Sequence, residues 1–257
     1  MSSDFLATRR AVLAGGAGLI SALVSRSALG FGEEGAFNPR ILLTGNAKWE
    51  GVRTTAPARW ADELGRRTSA PGRLRPGVVH ADDKQLLTEP FAVWGGAGAV
   101  PALTAREVTT LKQYFALGGI LFVDDFDPDR GAFGKSARTE LARVLSSSSP
   151  ISVGTDNVLF RSFYLLKRAV GRVKGPAKID VILRASAIQV VFSNHDMLGA
   201  LARDSSGTSS LEVVPGGDSQ REQAIRLAVN IAMYVLCSSY KDDQVHAEHI
   251  MRRRGGK

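Results

Sequence analysis

The chain has 257 residues and a mass of 27.5 kDa, with 33 Lys and Arg against 25 Asp and Glu, a formal net charge of +8 and a pI near 9.9. That length is one large domain or two small ones, and a composition 44% hydrophobic and 23% charged excludes a wholly disordered, collagenous or multi-span membrane chain. A single Cys excludes a disulfide scaffold and any multi-cysteine zinc or iron–sulfur site.

Thr8-Arg9-Arg10 leads into an uncharged stretch from Ala11 to Val24 and the small-residue run Ser27-Ala28-Leu29-Gly30. The stretch falls short of the ~20 apolar residues a membrane helix needs, so it reads as a secretory signal. The arginine pair points to the twin-arginine route, with cleavage after Gly30 and a periplasmic destination. An uncleaved N-terminal anchor is the alternative, and membrane contact is expected only through this segment. The expected organisation is a signal over 1–30, an α/β domain over 31–240 and a basic tail over 241–257, which carries Arg252-Arg253-Arg254 and Lys257. No nucleic acid is expected as a partner, because the basic residues are dispersed and form no pattern with aromatic ones.

Arg40 to Gly45 is an apolar run closed by glycine, which suits a first buried strand. Ala58 to Arg67 carries Trp60, Ala61 and Leu64 at helical spacing, with Asp62 and Glu63 early and Arg66-Arg67 late, the order that complements a helix dipole. Val78 to Ala81 and Phe91 to Trp94 read as short strands, the second entering Gly95-Gly96-Ala97-Gly98. Thr104 with Glu107 predicts a capped helix that keeps Val108, Leu111 and Phe115 on one face and stops at Gly118-Gly119. Ile120 to Val123 is a strand buried on both faces, ending in Asp124-Asp125-Phe126-Asp127-Pro128.

Thr139 to Leu145 is a short helix, Ser146 to Ser149 a linker, and Val158 to Leu166 has no clean period. Ile179 to Leu183 and Ile188 to Phe192 are β-branched runs that either pair as a hairpin or lie apart, the second ending in Ser193-Asn194-His195-Asp196. Asp204 to Ser210 is a loop, and Ser219 opens a long helix with Glu222 completing a capping box. Alternating strands and helices predict a single α/β domain with a mostly parallel sheet flanked by helices.

Ligands of such sheets bind outside the carboxyl ends of the strands. Three polar clusters follow strands: His80 with Asp82 and Asp83; Asp124, Asp125 and Asp127; and Ser193 to Asp196. The last two share one rim if their strands are parallel, where they suit a divalent cation or an acid and base pair. The alternative is structural: the aspartates cap loops and Asp127 forms an Asx-turn. Gly95 and Gly96 lack the Lys-Ser/Thr end of a phosphate loop, and no Gly-x-Ser-x-Gly elbow is present. Cys237, on the last helix, is expected to be a buried small side chain rather than a nucleophile. His246, Glu248 and His249 lie on the tail and are not expected to hold a metal.

Trp60 with Leu64 and Thr68, Pro90 to Gly96, and the run from Leu103-Thr104 to Gly118-Gly119-Ile120-Leu121-Phe122-Val123-Asp124-Asp125 resemble the bacterial domain-of-unknown-function 4159 family. Phe160 to Tyr164 and Val190 to Asp196 fit it too, so the resemblance spans Phe37 to Leu236. It implies a fold similar to class I glutamine amidotransferase-like domains and brings no established activity. In those enzymes a Gly-Gly loop forms an oxyanion site, a Cys is the nucleophile and a late strand ends in a His-x-Glu pair. Gly95-Gly96 matches the loop, His195-Asp196 roughly matches the pair, and Asp125 stands where the Cys would be, which removes thioester chemistry.

The expected function is therefore that of an exported module, without catalysis and with no cofactor, binding a small ligand or an envelope protein through Gly95, Gly96, Asp124, Asp125, Asn194, His195 and Asp196. The alternative is a metal-assisted or carboxylate-dependent hydrolase using the same rim, with Asp125, His195 and Asp196 as catalytic candidates. A third reading is a structural envelope component that makes contact through its basic tail and Phe160 to Tyr164.

Overall fold

The computed structural model describes residues 35–254, with side chains as far as Ser238. The segment expected to be a signal, and the side chains of His246, Glu248, His249 and the terminal arginines, lie outside the described residues.

Seven strands form one sheet in the order β2-β1-β3-β4-β7-β6-β5. They are β1 (Arg40–Leu43), β2 (Val78–His80), β3 (Phe91–Gly96), β4 (Ile120–Asp125), β5 (Ile151–Val153), β6 (Ile179–Arg184) and β7 (Ala187–Ser193). The pairs from β2 through β1, β3 and β4 to β7 are parallel, and β6 and β5 add an antiparallel edge. A parallel half that begins 2-1-3-4 is flavodoxin-like, so the chain is a single α/β domain of the expected class.

The helices are α1 (Ala56–Thr68), α2 (Ala105–Ala116), α3 (Ala132–Val144), α4 (Met197–Leu201) and α5 (Gly217–Arg254). One core lies between the sheet and α1, α4 and α5, and contains Trp60, Phe91, Phe122, Val191, Leu227 and Ile231. A second lies between the other face and α2 and α3, around Trp94, Leu111, Tyr114, Leu121 and Phe192. All six residues of β4 are buried, because both faces of this central strand are covered by helices. Trp60 reaches across the first core, where its indole N–H donates to the Ala228 carbonyl of α5 at 2.7 Å. Arg67 adds a two-pronged bond to Glu222 at 2.8 Å, which joins α1 to α5 a second time.

Several expectations change. The two β-branched runs pair as the hairpin β6–β7, turned at Ala185 and Ser186 with φ of 48° and 72°. Helix α3 begins at Ala132, well before Thr139, because Phe133 and Ala137 extend its apolar face. Glu222 is not a capping residue: α5 begins at Gly217, and Glu222 is taken by Arg67 and Arg226. Cys237 is exposed, two positions past the last buried residue of the Leu227, Ala228, Ile231, Ala232 and Val235 stripe. With no Gly or Pro to stop it, α5 runs to Arg254, into the segment beyond 240. Among the described residues no helix is long and apolar enough to cross a membrane.

Candidate functional site

The sheet register brings the predicted residues to one rim. Gly95 pairs with Asp124, Gly96 with Asp125, and Asp124 with Ser193, so the carboxyl ends of β3, β4 and β7 lie side by side. The cluster of His80, Asp82 and Asp83 is not part of it. These residues follow the edge strand β2, where Asp83 caps the turn at Lys84–Thr88 and Asp82 lies 3.7 Å from Arg106.

Most of the rim is held by bonds within the fold. Asp196 adopts a left-handed conformation, φ 50°, directly before α4, and its Oδ1 accepts the N–H of Gly199 at 2.9 Å. The side chain is completely buried and meets two guanidinium groups, Arg53 at 2.8 and 2.6 Å and Arg172 through its Nε. Arg53 lies in turn 4.5 Å from the centre of the Phe126 ring. Asp124, also completely buried, accepts the N–H groups of Met197 at 3.0 Å and Leu198 at 2.8 Å. The two carboxylates thus satisfy the first N–H groups of α4, which a helix leaves without an internal partner. Burial, and then the charge of Asp196, push the Asp124 carboxyl up to about 7.

His195 is wedged under the loop that crosses the end of β7. Its Nε2 donates to the Pro176 carbonyl at 2.8 Å, since a carbonyl only accepts, and burial holds its pKa below the usual histidine value. Arg172 and Val173 N–H groups bond the Asp196 and His195 carbonyls at 3.2 and 3.1 Å. That approach requires glycine: a Cβ on Gly171 would lie 2.3 Å from the His195 carbonyl oxygen, and one on Gly175 2.7 Å from that of Asn194.

Gly95 and Gly96 are glycines for packing. A Cβ on either would meet an aromatic ring, Phe126 at 2.4 Å or Phe133 at 2.6 Å. The Asx-turn belongs to Asp125 rather than to Asp127: Asp125 Oδ1 accepts from the Asp127 N–H at 3.0 Å, and Oδ2 from that of Gly134 in α3 at 2.9 Å.

Of the expected set, Asp125 and Asn194 line a cavity that measures about 370 Å3. Lys135 and Arg138 of α3 and Lys174 of the crossing loop supply its cationic side, and Asp129 an acidic one. Arg138 is fixed 4.1 Å over the Phe192 ring and bonds Asp180 at 2.9 Å. Lys135 and Lys174 form no ion pair among the described residues. Nor do the described residues gather three His, Cys, Asp or Glu close enough to hold a metal ion.

The sequence reading missed Arg53, Arg172, Lys135 and Lys174, which sit in loops or on exposed helix turns. It also missed Glu107 beyond its cap. At the switch point between β1 and β3, where ligands bind in folds of this kind, Glu107 bridges the loops that follow the two strands. Its Oε1 accepts the Gly45 N–H at 2.7 Å and its Oε2 that of Thr104 at 2.7 Å. Burial opposes its ionisation, yet these donors hold its pKa below the usual glutamate value.

No curated protein matches the chain. Residues 40–236 match the family described as Domain of unknown function (DUF4159), from the first residue of β1 into the buried part of α5. The match thus takes in every strand and the whole strand-end rim, and the chain belongs to the DUF4159 family.

Proposed function

We propose that this domain is a binding module without catalysis, exported and active in the cell envelope, and that it takes a small anionic ligand in the cavity beside Asp125 and Asn194. The observation that carries this reading is the division of the rim. Asp124, His195 and Asp196 bond backbone groups and Arg53 and Arg172, whereas Lys135 and Lys174 line a cavity of about 370 Å3 and form no ion pair among the described residues, although Asp125 and Asp129 share its lining. A cavity of this size falls within the ~300–1,000 Å3 usual for small-ligand sites. Asp125, at the position matching the amidotransferase nucleophile, is 1% exposed and ends an ordinary strand, and it is not among the residues of positive φ. A nucleophile held on a strained strand-to-helix elbow has neither property. Export is supported by the Arg9-Arg10 pair and the uncharged stretch that follows it.

Thermal unfolding against citrate, malate, inorganic phosphate and glycerol phosphate tests the proposal. A probe at 100 times its Kd adds ~2.7 kcal/mol to stability. The expected result is a shift with at least one probe that disappears in Lys135→Ala/Asn194→Ala. An equal shift in that variant, or none with any probe, overturns the reading.

A further inference from the structure

A second cavity, of about 560 Å3, lies between the loop from Leu165 to Gly175 and the start of α5. Lys167, Arg168, Lys174 and Arg226 line it, and no carboxylate does. Arg168 is fixed in the wall by its bond to the Gly175 carbonyl at 2.8 Å. Arg226 lies 5.1 Å over the Tyr164 ring and is half-neutralised by Glu222 at 2.8 Å. Lys167 and Lys174 have no ion pair among the described residues. At the edge Leu165 is 86% exposed, an unusual degree for a leucine beside a basic groove.

We propose that this groove docks an acidic peptide segment of a partner protein. The fold supplies four cations from both segments that wall the groove, and only Arg226 meets an anion, Glu222 outside the lining, so the complementary surface is a run of carboxylates. One small anion would satisfy one or two of these cations, whereas an extended chain carries a charge at each of several positions. A peptide also brings apolar side chains to Leu165 and amides to Gln223. A bilayer surface is flat and does not enter a concave site. Lys174 and Gly175 line both this groove and the cavity beside Asp125, whereas Lys167 and Gln223 line the groove alone, so variants at those two positions separate the two readings.

The test is fluorescence anisotropy of a labelled poly-glutamate peptide with the full chain over a range of salt. The expected result is salt-sensitive binding that Lys167→Glu/Gln223→Glu weakens about tenfold or more, equivalent to ~1.4 kcal/mol. Lys112→Glu/Gln113→Glu makes the same charge change on exposed positions of α2, against the other face of the sheet, and is expected to leave binding within about twofold. Lys167→Ala, which adds no charge to the groove, is expected to weaken binding as well. Equal losses in the two double variants, or no peptide binding, overturn the proposal. So does co-sedimentation with phosphatidylglycerol vesicles through Lys167 in the absence of peptide binding.

Discussion

Asp124 and Asp196 divide the first N–H groups of α4 between them, Asp124 taking Met197 and Leu198 and Asp196 taking Gly199, while the guanidinium groups of Arg53 and Arg172 bond Asp196. One carboxylate is compensated by two cations. The other is stabilised by peptide dipoles and faces the negative charge of its neighbour. The two aspartates therefore respond differently to mutation and to pH.

Replacing Asp196 by Ala leaves two partly buried guanidinium groups without their carboxylate and removes the α4 cap at a left-handed position. The expected loss is ~3–5 kcal/mol, as for one partner taken from a buried ion pair. Asp196→Asn keeps the cap oxygen and tolerates positive φ, so its loss is expected to be smaller. Urea unfolding of both variants beside the wild type checks the order.

The Asp124 carboxyl, raised to about 7 in the fold, holds its proton longer than in the unfolded chain. Its contribution to stability is present below about pH 4 and lost as the pH rises through about 7. His195 acts in the opposite sense. Its lowered folded value costs stability in acid, and that cost fades as the pH rises past the ordinary ~6.5. Melting curves from pH 5 to 8 should show Asp124→Asn gaining on the wild type toward pH 8 and His195→Gln gaining toward pH 5. Parallel curves would show that neither group carries the shift.

Gly171→Ala drives a Cβ to 2.3 Å from the His195 carbonyl oxygen, and backbone on both sides cannot yield cheaply. The expected cost is ~1–3 kcal/mol, with faster proteolysis of the 165–176 loop. At Gly65 the nearest atom is the Ala70 carbonyl oxygen, 3.6 Å from an added Cβ. Gly65→Ala, in the interior of α1, is expected to stabilise by ~0.4–1 kcal/mol. Guanidinium denaturation distinguishes the two signs.

Asn230, buried in the middle of α5, accepts the N–H groups of Phe163 and Tyr164 and donates to the carbonyls of Leu159 and Tyr164. Asn230→Ala leaves buried backbone groups without partners at ~1–3 kcal/mol each. Limited trypsin digestion should then cut at Arg161 in the variant long before the wild type.

Cys237 is exposed in the fold, so a thiol reagent should label it to completion without denaturant. Labelling only after unfolding would return it to the helix interior.

The elements built on local pattern were legible in the sequence. The Thr104–Glu107 box, the apolar run of β4 and the stripe of α5 each declare themselves within a few residues, because period and capping are short-range properties. The gathering of Asp124, Asp125 and Asn194 at one rim followed from strand order. What escaped was the fate of each side chain there. Arg53 meets Asp196 across 143 positions of sequence, and no spacing announces such a pair. Asn230 went unremarked in the apolar stripe of its helix, because its partners lie in the one segment without a period. The three-residue strand β5 is an edge too short to show alternation.

The bond from Trp60 to Ala228 closes a loop of 168 residues. A growing polypeptide delivers the indole 168 residues before its acceptor, so a chain that has not yet made α5 lacks one wall of the first core. A product truncated ahead of that helix would present Trp60, Phe91 and Phe122 to chaperones and proteases. The first core thus depends on a helix made long after the strands it covers.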